Sequence, residues 1–414
     1  MERTILHCDL NNFYASVECM LDPKLNDYPI AVCGEKEERQ GIVLAKNMKA
    51  KCYGVSTGEA IWQAKKKCKD LVTVPPHYDE YVRVSEQVRG IYNRYTDLVE
   101  SFGMDECWLD VTGSEYLFGD GKTIAELIRN EVKREVGVTV SVGVSFNKIF
   151  AKLGSDLKKP DAVTVIPRSE YKKIIGKLPA SDLLGVGRNT AKQLHAYGVY
   201  TIEELANFSV TTIRKLLGKN GDMIWRYANG LDDSLVIRNC EDYLDKTAGH
   251  GITLAEDLTA DEEVWKVMLE LSQEIGHRMY LFKKKATGVA ISIKSNNLSS
   301  KQWQRKLDLP TQSPFMLAKY AFEMFCENFQ WETPIRAVTV RAIGLIEEKR
   351  PMQIDMFTDS GRIVRNEELN KTVEQLRIRY GETIIKQAVL LGETRFKRDI
   401  EKRAILPFSA LRCL

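Results

Sequence analysis

The sequence predicts an α+β protein of several domains, because three stretches of the chain differ in character. Residues 1–168 mix short apolar strands with amphipathic helices, and residues 169–233 contain only short helical segments. Residues 247–346 follow the order β-α-β-β-α-β, which is a split βαβ arrangement. A chain of 414 residues is long enough for several such domains, each with its own core.

The first stretch opens with an apolar strand at residues 5–8 that runs directly into Asp9. Strands are then predicted within "PIAVCG" and at the start of "GIVLAKNMKAKCYGV", whose second half is a basic helix. A helix follows within residues 81–100, strands occupy residues 100–112, and another amphipathic helix covers residues 121–137. Strand, helix and strand complete the stretch, which therefore reads as mixed α/β.

The second stretch contains a glycine turn, "GVGRNTAKQL", that opens a helix. Backbone N–H groups at Gly185, Gly187 and the helix N-terminus can meet a phosphate there. A simple connector between two helices is the alternative, and this motif alone does not decide between them. A polar, charged linker follows at about residues 234–246.

The third stretch carries a strongly basic segment on its predicted strands. Val289, Ile291 and Ile293 alternate with less apolar residues, so one face of that strand is wet. The segment from 278 to 306 contains no acid and has eight basic residues: Arg278, Lys283, Lys284, Lys285, Lys294, Lys301, Arg305 and Lys306. We add Arg336 and Arg341 from the last strand. Ordinary solvated charges would have mixed signs, so we expect this surface to bind a phosphate backbone.

Composition excludes several classes of protein. The net charge of +3 is too small to identify a partner, and no run of about eighteen apolar residues predicts a membrane span. Nine cysteines without a CxxC pair and five scattered histidines argue against zinc. Free thiols and the absence of a signal peptide in "MERTILHCDL" favour the cytoplasm.

The stretch "SFGMDECWLD" places Asp105 and Glu106 inside an apolar run, where carboxylates need a cationic partner. Hard divalent cations such as Mg²⁺ prefer oxygen ligands. Together with Asp9 and a backbone carbonyl, these acids could hold the two ions of a two-metal phosphoryl transfer. By spacing alone, exposed turn acids and a separate Asp9 remain the favoured interpretation.

Four motifs in order change that balance: "DLNNFYASVE", "SFGMDECWLDVTG", "SVGVSFNKIFAKLGSDLKKP" and "LLGVGRNTAKQL". Together they resemble the Y-family DNA polymerases, the lesion-bypass enzymes of the DNA polymerase IV type, over about residues 1–346. The resemblance implies a right-handed polymerase architecture and template-directed transfer of deoxynucleotides. It also implies the following domains: palm (1–10 and 78–168), fingers (11–77), helical thumb with a helix-hairpin-helix (169–233), linker (234–246), little finger (247–346) and a C-terminal tail (347–414).

The resemblance also implies roles for single residues. Asp9, Asp105 and Glu106 become the catalytic metal ligands for two Mg²⁺ ions, with the Leu10 carbonyl as a further ligand. The other implied site residues are Phe13 and Tyr14 at the nucleotide, Lys159 at its triphosphate, and Gly185 and Gly187 at the DNA backbone. Tyr14 would block a 2′-hydroxyl because a ring against C2′ leaves no room for an oxygen. Without Asp9 nearby, Tyr14 would be read as a core aromatic.

The fingers depart from the family pattern. Where the family often carries Thr, Tyr and Arg, "LAKNMKAK" has Ala45, Met48 and Lys51. Lys51 still offers a charge to the phosphates, but a lysine cannot form the bidentate fork of an arginine. We therefore expect weaker nucleotide binding than in relatives, which single-turnover titration would measure.

The tail carries "MQIDMF", which resembles the clamp-binding peptide of bacterial polymerases. Gln353 would hydrogen-bond, while Met356 and Phe357 would fill an apolar pocket of a sliding clamp. A helix of unassigned role follows at about residues 366–381. The expected partners are primer-template DNA, a deoxynucleoside triphosphate and the clamp, and the expected state is a monomer.

Two other functions compete with a polymerase. A catalytically silent scaffold that binds DNA and the clamp could share this fold, but the intact Asp9, Asp105 and Glu106 argue against it. Another palm-type nucleotidyl transferase, such as a cyclase, would not need the glycine turn, the basic strands or the clamp-like peptide. Primer extension with and without Asp105→Ala separates the first competitor from a polymerase.

Overall fold

The chain forms two units in a computed structural model that describes residues 2–34, 41–238, 246–351, 360–381 and 384–391. The first unit holds described residues up to 238, except residue 41, and the second unit holds those from 246 onward. In the described part of the chain, no helix has the length and apolar character needed to span a membrane.

The first unit alternates strands and helices along the chain. Its strands are β1 (Ile5–Leu10), β2 (Ile30–Cys33), β3 (Val43–Lys46), β4 (Val72–Val74), β5 (Val99–Ser101), β6 (Glu106–Asp110), β7 (Val140–Ser145) and β8 (Val163–Ile166). Its helices are α1 (Phe13–Leu21), α2 (Met48–Cys52), α3 (Ile61–Lys67), α4 (Tyr78–Tyr92), α5 (Glu115–Phe118), α6 (Gly121–Glu135), α7 (Lys148–Leu157), α8 (Tyr171–Ile175), α9 (Arg188–Ala196), α10 (Ile202–Asn207) and α11 (Val210–Ala228).

A five-stranded sheet with the order β5-β6-β1-β7-β8 forms the centre of this unit. The strand β1 is buried along its whole length and runs antiparallel to both β6 and β7. Because side chains alternate along a strand, Leu6 and Cys8 face a core formed with α4 and α6. His7 and Asp9 face the opposite side, where α7 packs. Gly143 permits this packing, since a Cβ there would overlap the Ala151 carbonyl.

Two smaller parts complete the first unit. The sheet β3-β2-β4 packs with α2 and α3 around a small apolar cluster. The helix α1 contributes Phe13 and Val17 to the core of the large sheet, and Ala15 and Cys19 to a cluster with β2. The helices α8 to α11 form a separate cluster, into which Phe150 of α7 also packs.

The second unit contains the predicted order β-α-β-β-α-β, which is confirmed. Its elements are β9 (Thr247–Leu258), α12 (Asp261–Leu281), β10 (Lys284–Ser295), β11 (Ser300–Thr311), α13 (Pro314–Asn328) and β12 (Ile335–Glu347). The antiparallel sheet has the order β11-β10-β12-β9, and α12 and α13 pack on one of its faces. Val289, Ile291 and Ile293 point into that core, as their alternation predicts.

A further helix, α14 (Ser360–Tyr380), packs against α12. It begins at Ser360, before the predicted position near 366, and the added residues contain no proline that would stop a helix. Its contact with α12 is polar and buried. Arg377 donates to Glu374 at 2.9 Å and to Gln273 at 2.5 Å, while Glu374 also lies 2.7 Å from His277 Nδ1. The helix is therefore fixed to the second unit rather than independent of it.

Candidate active site

The carboxylates of "SFGMDECWLD" and Asp9 meet at one end of the central strands. Asp9 on β1 lies directly opposite Glu106, the first residue of β6. Asp105 precedes β6 in the turn from β5, and its carbonyl accepts the Leu10 N–H at 2.9 Å. Antiparallel pairing thus brings together three acids from chain segments about a hundred residues apart.

Asp9 is buried and bonded to a lysine. Its Oδ2 atom lies 2.7 Å from Lys159 Nζ, which also pairs with Asp156 at 2.8 Å. Burial raises the pKa of Asp9 to about 7, with the Lys159 ammonium opposing that shift and the charges of Glu106 and Asp105 adding to it. Burial and the charge of Glu106 raise the pKa of Asp105 to about 6. Two of the three acids are therefore short of positive charge.

Glu106 has a more favourable environment, formed by two residues that the sequence did not single out. Its Oε2 atom lies 2.7 Å from Lys152 Nζ of α7 and 3.6 Å from Nε2 of the buried His7. The Nδ1 atom of His7 is 2.8 Å from Ser155 Oγ. Although burial raises the pKa of Glu106, His7 and Lys152 together bring it below its ordinary value. The four-residue repeat of Lys148, Lys152 and Asp156 along α7 was the available signal.

The donor set fits hard divalent cations. In the described residues, no group of three or more His, Cys, Asp and Glu side chains is already arranged around a common metal position. The lysine contacts of Asp9 and Glu106 account for this, since each carboxylate is turned toward its ammonium. Burial is the main reason that the pKa values of Asp9 and Asp105 are raised, with neighbouring carboxylates adding to it, and cations that prefer oxygen ligands would compensate both effects.

Phe13 and Tyr14 lie at the start of α1, next to these acids. Phe13 is buried in the core, whereas Tyr14 is half-buried and its ring stacks on Tyr81. The Tyr14 hydroxyl donates to Met104 Sδ at 3.3 Å, beside Asp105. Burial raises the pKa of Tyr14 to about 12, so the hydroxyl remains protonated.

The sheet β3-β2-β4 and the helix α2 carry several lysines. Lys51 is exposed on α2, which Met48 begins, and Ala45 packs against the apolar cluster beside β2. Burial lowers the pKa of Lys46, and the charge of Lys51 lowers it further. Lys46 is thus a second cation near Lys51, and its ammonium donates to Thr57 Oγ1 at 3.1 Å.

The glycine turn adopts the expected turn-to-helix geometry. Gly185 has a φ of 91°, and Gly187 is the exposed residue that precedes α9. A depression of about 440 Å³ borders this turn and includes Lys152 and Asp156 of α7. The glycine turn therefore borders the same surface as α7, whose Lys152 pairs with Glu106.

Among the described residues, α12 and α13 cover only one face of the second unit's sheet, and the other, uncovered face presents part of the predicted basic set. Strand register places Lys294, Lys306 and Arg341 on the face opposite the apolar residues that meet α12 and α13. Arg341 crosses Gly249, where a Cβ would overlap its side chain. Within the described residues, the buried Nε of Arg341 has no hydrogen-bond partner.

Three other predicted DNA contacts are paired with acids in the structure. Lys284 pairs with Glu347, and Arg305 pairs with Glu327 of α13, on the helix-covered side. Lys285 is only 5% exposed and lies 2.6 Å from Glu367 of α14. Acids distant in sequence therefore neutralise these three cations, which no local charge pattern reveals.

The remaining predicted basic residues have other positions. Arg278 donates to the Gly249 carbonyl at 2.6 Å. Lys283 is exposed in the turn before β10, and Lys301 is exposed on β11. Arg336 lies at an irregularity near the start of β12, where the register with β9 shifts.

Gln353, Met356 and Phe357 lie outside the described residues, so the clamp-binding peptide stays a sequence prediction. The described chain resumes at α14, which packs on the second unit.

Comparison with known proteins gives matches along the whole chain. Residues 8–156 match the impB/mucB/samB family, residues 245–356 match its C-terminal domain, and residues 181–232 match the thumb domain of DNA polymerase-iota. The chain is 46% identical to DNA polymerase IV of Acetivibrio thermocellus, covering 96% of this chain and all of that protein. It is 31% identical to DNA polymerase IV 1 of Bacillus subtilis, covering 95% of both chains.

One solved structure has a similar fold. It is a Y-family DNA polymerase chimera, Dbh-Dpo4(243-245)-Dbh, with a TM-score of 0.73. The match has 22% sequence identity and covers 83% of this chain and 99% of the other.

Proposed function

Because the chain belongs to the Y family of DNA polymerases, of the DNA polymerase IV type, we propose that Asp9, Asp105 and Glu106 form its catalytic centre. Family membership makes it a DNA-directed DNA polymerase with a role in translesion synthesis. The observation that carries the proposal is the pairing of Asp9 with Glu106 across β1 and β6, with Asp105 adjoining.

The proposed cofactor is a pair of Mg²⁺ ions, held by the three carboxylates and the Leu10 carbonyl. Bound there, they would lower the pKa of the primer 3′-hydroxyl and neutralise charge on the leaving phosphates. The chain's own groups prepare the site. Lys159 and Lys152 hold Asp9 and Glu106 in place, and apolar residues such as Leu109 and Val111 keep the strands rigid.

The nucleotide is proposed to lie between the three acids and two lysines of the predicted fingers, Lys46 and Lys51. Lys159 would exchange its bond with Asp9 for one with the triphosphate. An ammonium on a flexible side chain is well suited to bind phosphate. Lys51, joined by Lys46, would add charge. Phe13 would support the floor of the site, and Tyr14 would face the sugar and exclude a 2′-hydroxyl.

DNA binding is proposed at two surfaces, each within its own unit. The backbone N–H groups around Gly185 and Gly187 would contact phosphates without reading sequence. Lys294, Lys306 and Arg341 would contact phosphates through the uncovered sheet face. Gln353, Met356 and Phe357 are proposed to bind the sliding clamp, with the polymerase acting as a monomer.

Primer extension by the wild type and by Asp105→Ala tests the catalytic centre. We expect the variant to lose at least about a thousandfold in kcat while its affinity for primer-template is retained, because Asp105 acts on the reacting groups. Asp110→Ala, at the far end of β6, is the matched control and should extend primers. Full activity of Asp105→Ala would refute the assignment, and loss of activity in both variants would indicate damage to the strand instead.

A further inference from the structure

Glu18 is a buried acid that the polymerase reaction does not use. It is 3% exposed, lies on α1 one turn after Tyr14, and is not part of the carboxylate cluster. A buried carboxylate costs several kcal/mol unless it is well bonded, and an apolar residue of similar size would often serve stability as well. Its presence therefore calls for a structural role specific to this position.

The partners of Glu18 come from the start of α4. Tyr81, which is fully buried, donates its hydroxyl to Glu18 Oε1. The Nδ1 atom of His77 lies 3.0 Å from both carboxylate oxygens. Glu18 thus fastens α1 to α4 through two hydrogen bonds, both to side chains of a single segment of the chain.

The Tyr81 ring is also the surface on which Tyr14 rests. The two ring centroids are 4.2 Å apart and the ring planes differ by 9°, which is a parallel stack. Tyr78 meets Tyr14 edge-on, at a centroid distance of 6.0 Å. Because stacking fixes the plane of a ring and its distance from the ring beneath it, the position of the Tyr14 ring depends on that of Tyr81.

We propose that Glu18 is a positioning residue for sugar discrimination: it fixes Tyr81, and Tyr81 holds Tyr14 at the height that excludes a 2′-hydroxyl. This inference rests on the proposed role of Tyr14 facing the nucleotide sugar. To exclude one added oxygen, the blocking ring must be placed to within a fraction of an ångström, and a ring without support would move away from the oxygen. Glu18 therefore acts on specificity through two side chains, without touching the substrate.

The test compares kcat/KM for dCTP and CTP opposite a template guanine in full-length protein. We expect Glu18→Ala to lower the dCTP-to-CTP ratio by about tenfold, mainly by raising CTP insertion, since small displacements of an aligned group produce effects of this order. Glu18→Gln should keep most of the discrimination, because its amide oxygen still accepts the Tyr81 hydroxyl. Glu80→Ala removes a half-buried acid of α4 that pairs with Arg83, and should leave the ratio unchanged.

Combination with Tyr14→Ala separates this inference from the proposal beneath it. If Tyr14→Ala does not change the ratio, the proposed role of Tyr14 is wrong and the role of Glu18 falls with it. If Tyr14→Ala changes the ratio but Glu18→Ala does not, only the role of Glu18 is wrong. In the double variant Glu18→Ala should have no further effect, and an additive effect would overturn the route through Tyr14.

Should Glu18→Ala fail to fold, Tyr81→Phe tests the same connection. It keeps the stacked ring and removes only the hydroxyl that Glu18 holds. A lowered dCTP-to-CTP ratio in Tyr81→Phe supports the proposal, and a ratio equal to that of the wild type contradicts it.

Discussion

The carboxylate cluster and the uncovered sheet face of the second unit are both proposed to act on phosphates, yet their charges are arranged in opposite ways. Asp9, Asp105 and Glu106 are enclosed acids, and two lysines compensate them incompletely. Lys294, Lys306 and Arg341 are cations spread over an open sheet. A reaction centre needs charges held in fixed positions, which costs stability. Binding to a phosphate backbone uses charges dispersed over an exposed surface, and salt therefore screens them.

Among the tests of this comparison, the largest expected effect concerns Lys159, the lysine paired with Asp9. Lys159→Met should lower kcat/KM for nucleotide insertion by about a hundredfold, because its ammonium pairs with Asp9 and is proposed to bind the incoming triphosphate. Single-turnover titration of the nucleotide measures this. Lys158→Met is the control, since that neighbour is exposed, and should behave as the wild type. Equal losses in the two variants would mean that any lysine in this segment suffices.

The second prediction concerns the open face. Joint substitution Lys306→Ala and Arg341→Ala should weaken primer-template binding by about tenfold at low salt and flatten its salt dependence by about one unit of slope per lost contact. Fluorescence anisotropy across a salt series measures both quantities. Arg305→Ala is the matched control, because Arg305 pairs with Glu327 on the helix-covered side. A weaker salt dependence of DNA binding in Arg305→Ala would indicate that DNA contacts the helix-covered side of the sheet, and would contradict the prediction.

The smallest expected effect is the stability cost of the enclosed acids. The pKa of Asp9 is raised, so the folded state binds more protons than the unfolded state between pH 4 and 7, and its stability falls as the pH rises through that window. In EDTA, Asp9→Asn should raise the free energy of unfolding at pH 8 by roughly 1–3 kcal/mol, and by much less at pH 5.

Denaturant unfolding at the two pH values checks this difference. Glu135→Gln supplies a control of opposite sign, since hydrogen bonds from Arg94 lower the pKa of that exposed acid to about 2. Glu135→Gln should therefore not raise the free energy of unfolding at pH 8. A destabilised Asp9→Asn at pH 8 would show that the ion pair with Lys159 outweighs the burial of Asp9.

Much of the architecture follows from local pattern. The order β-α-β-β-α-β, the core face of β10 and the helices after the glycine turn are all visible as periodicity. The candidate acids could be named because carboxylates in an apolar run are conspicuous. Lys152, His7 and the Glu18 contact could not, since each depends on residues far apart in sequence meeting across strands or helices.

By itself, the sequence determined which segments become strands and helices and which residues match the family's motifs, because both depend on side-chain type and spacing. Only the tertiary structure decided which charges are free to act. Lys285 and Arg305 look identical to Lys306 along the chain, yet folding pairs them with Glu367 and Glu327. Charge availability depends on the distance to every other charge and on burial, and both are set when the strands and helices pack.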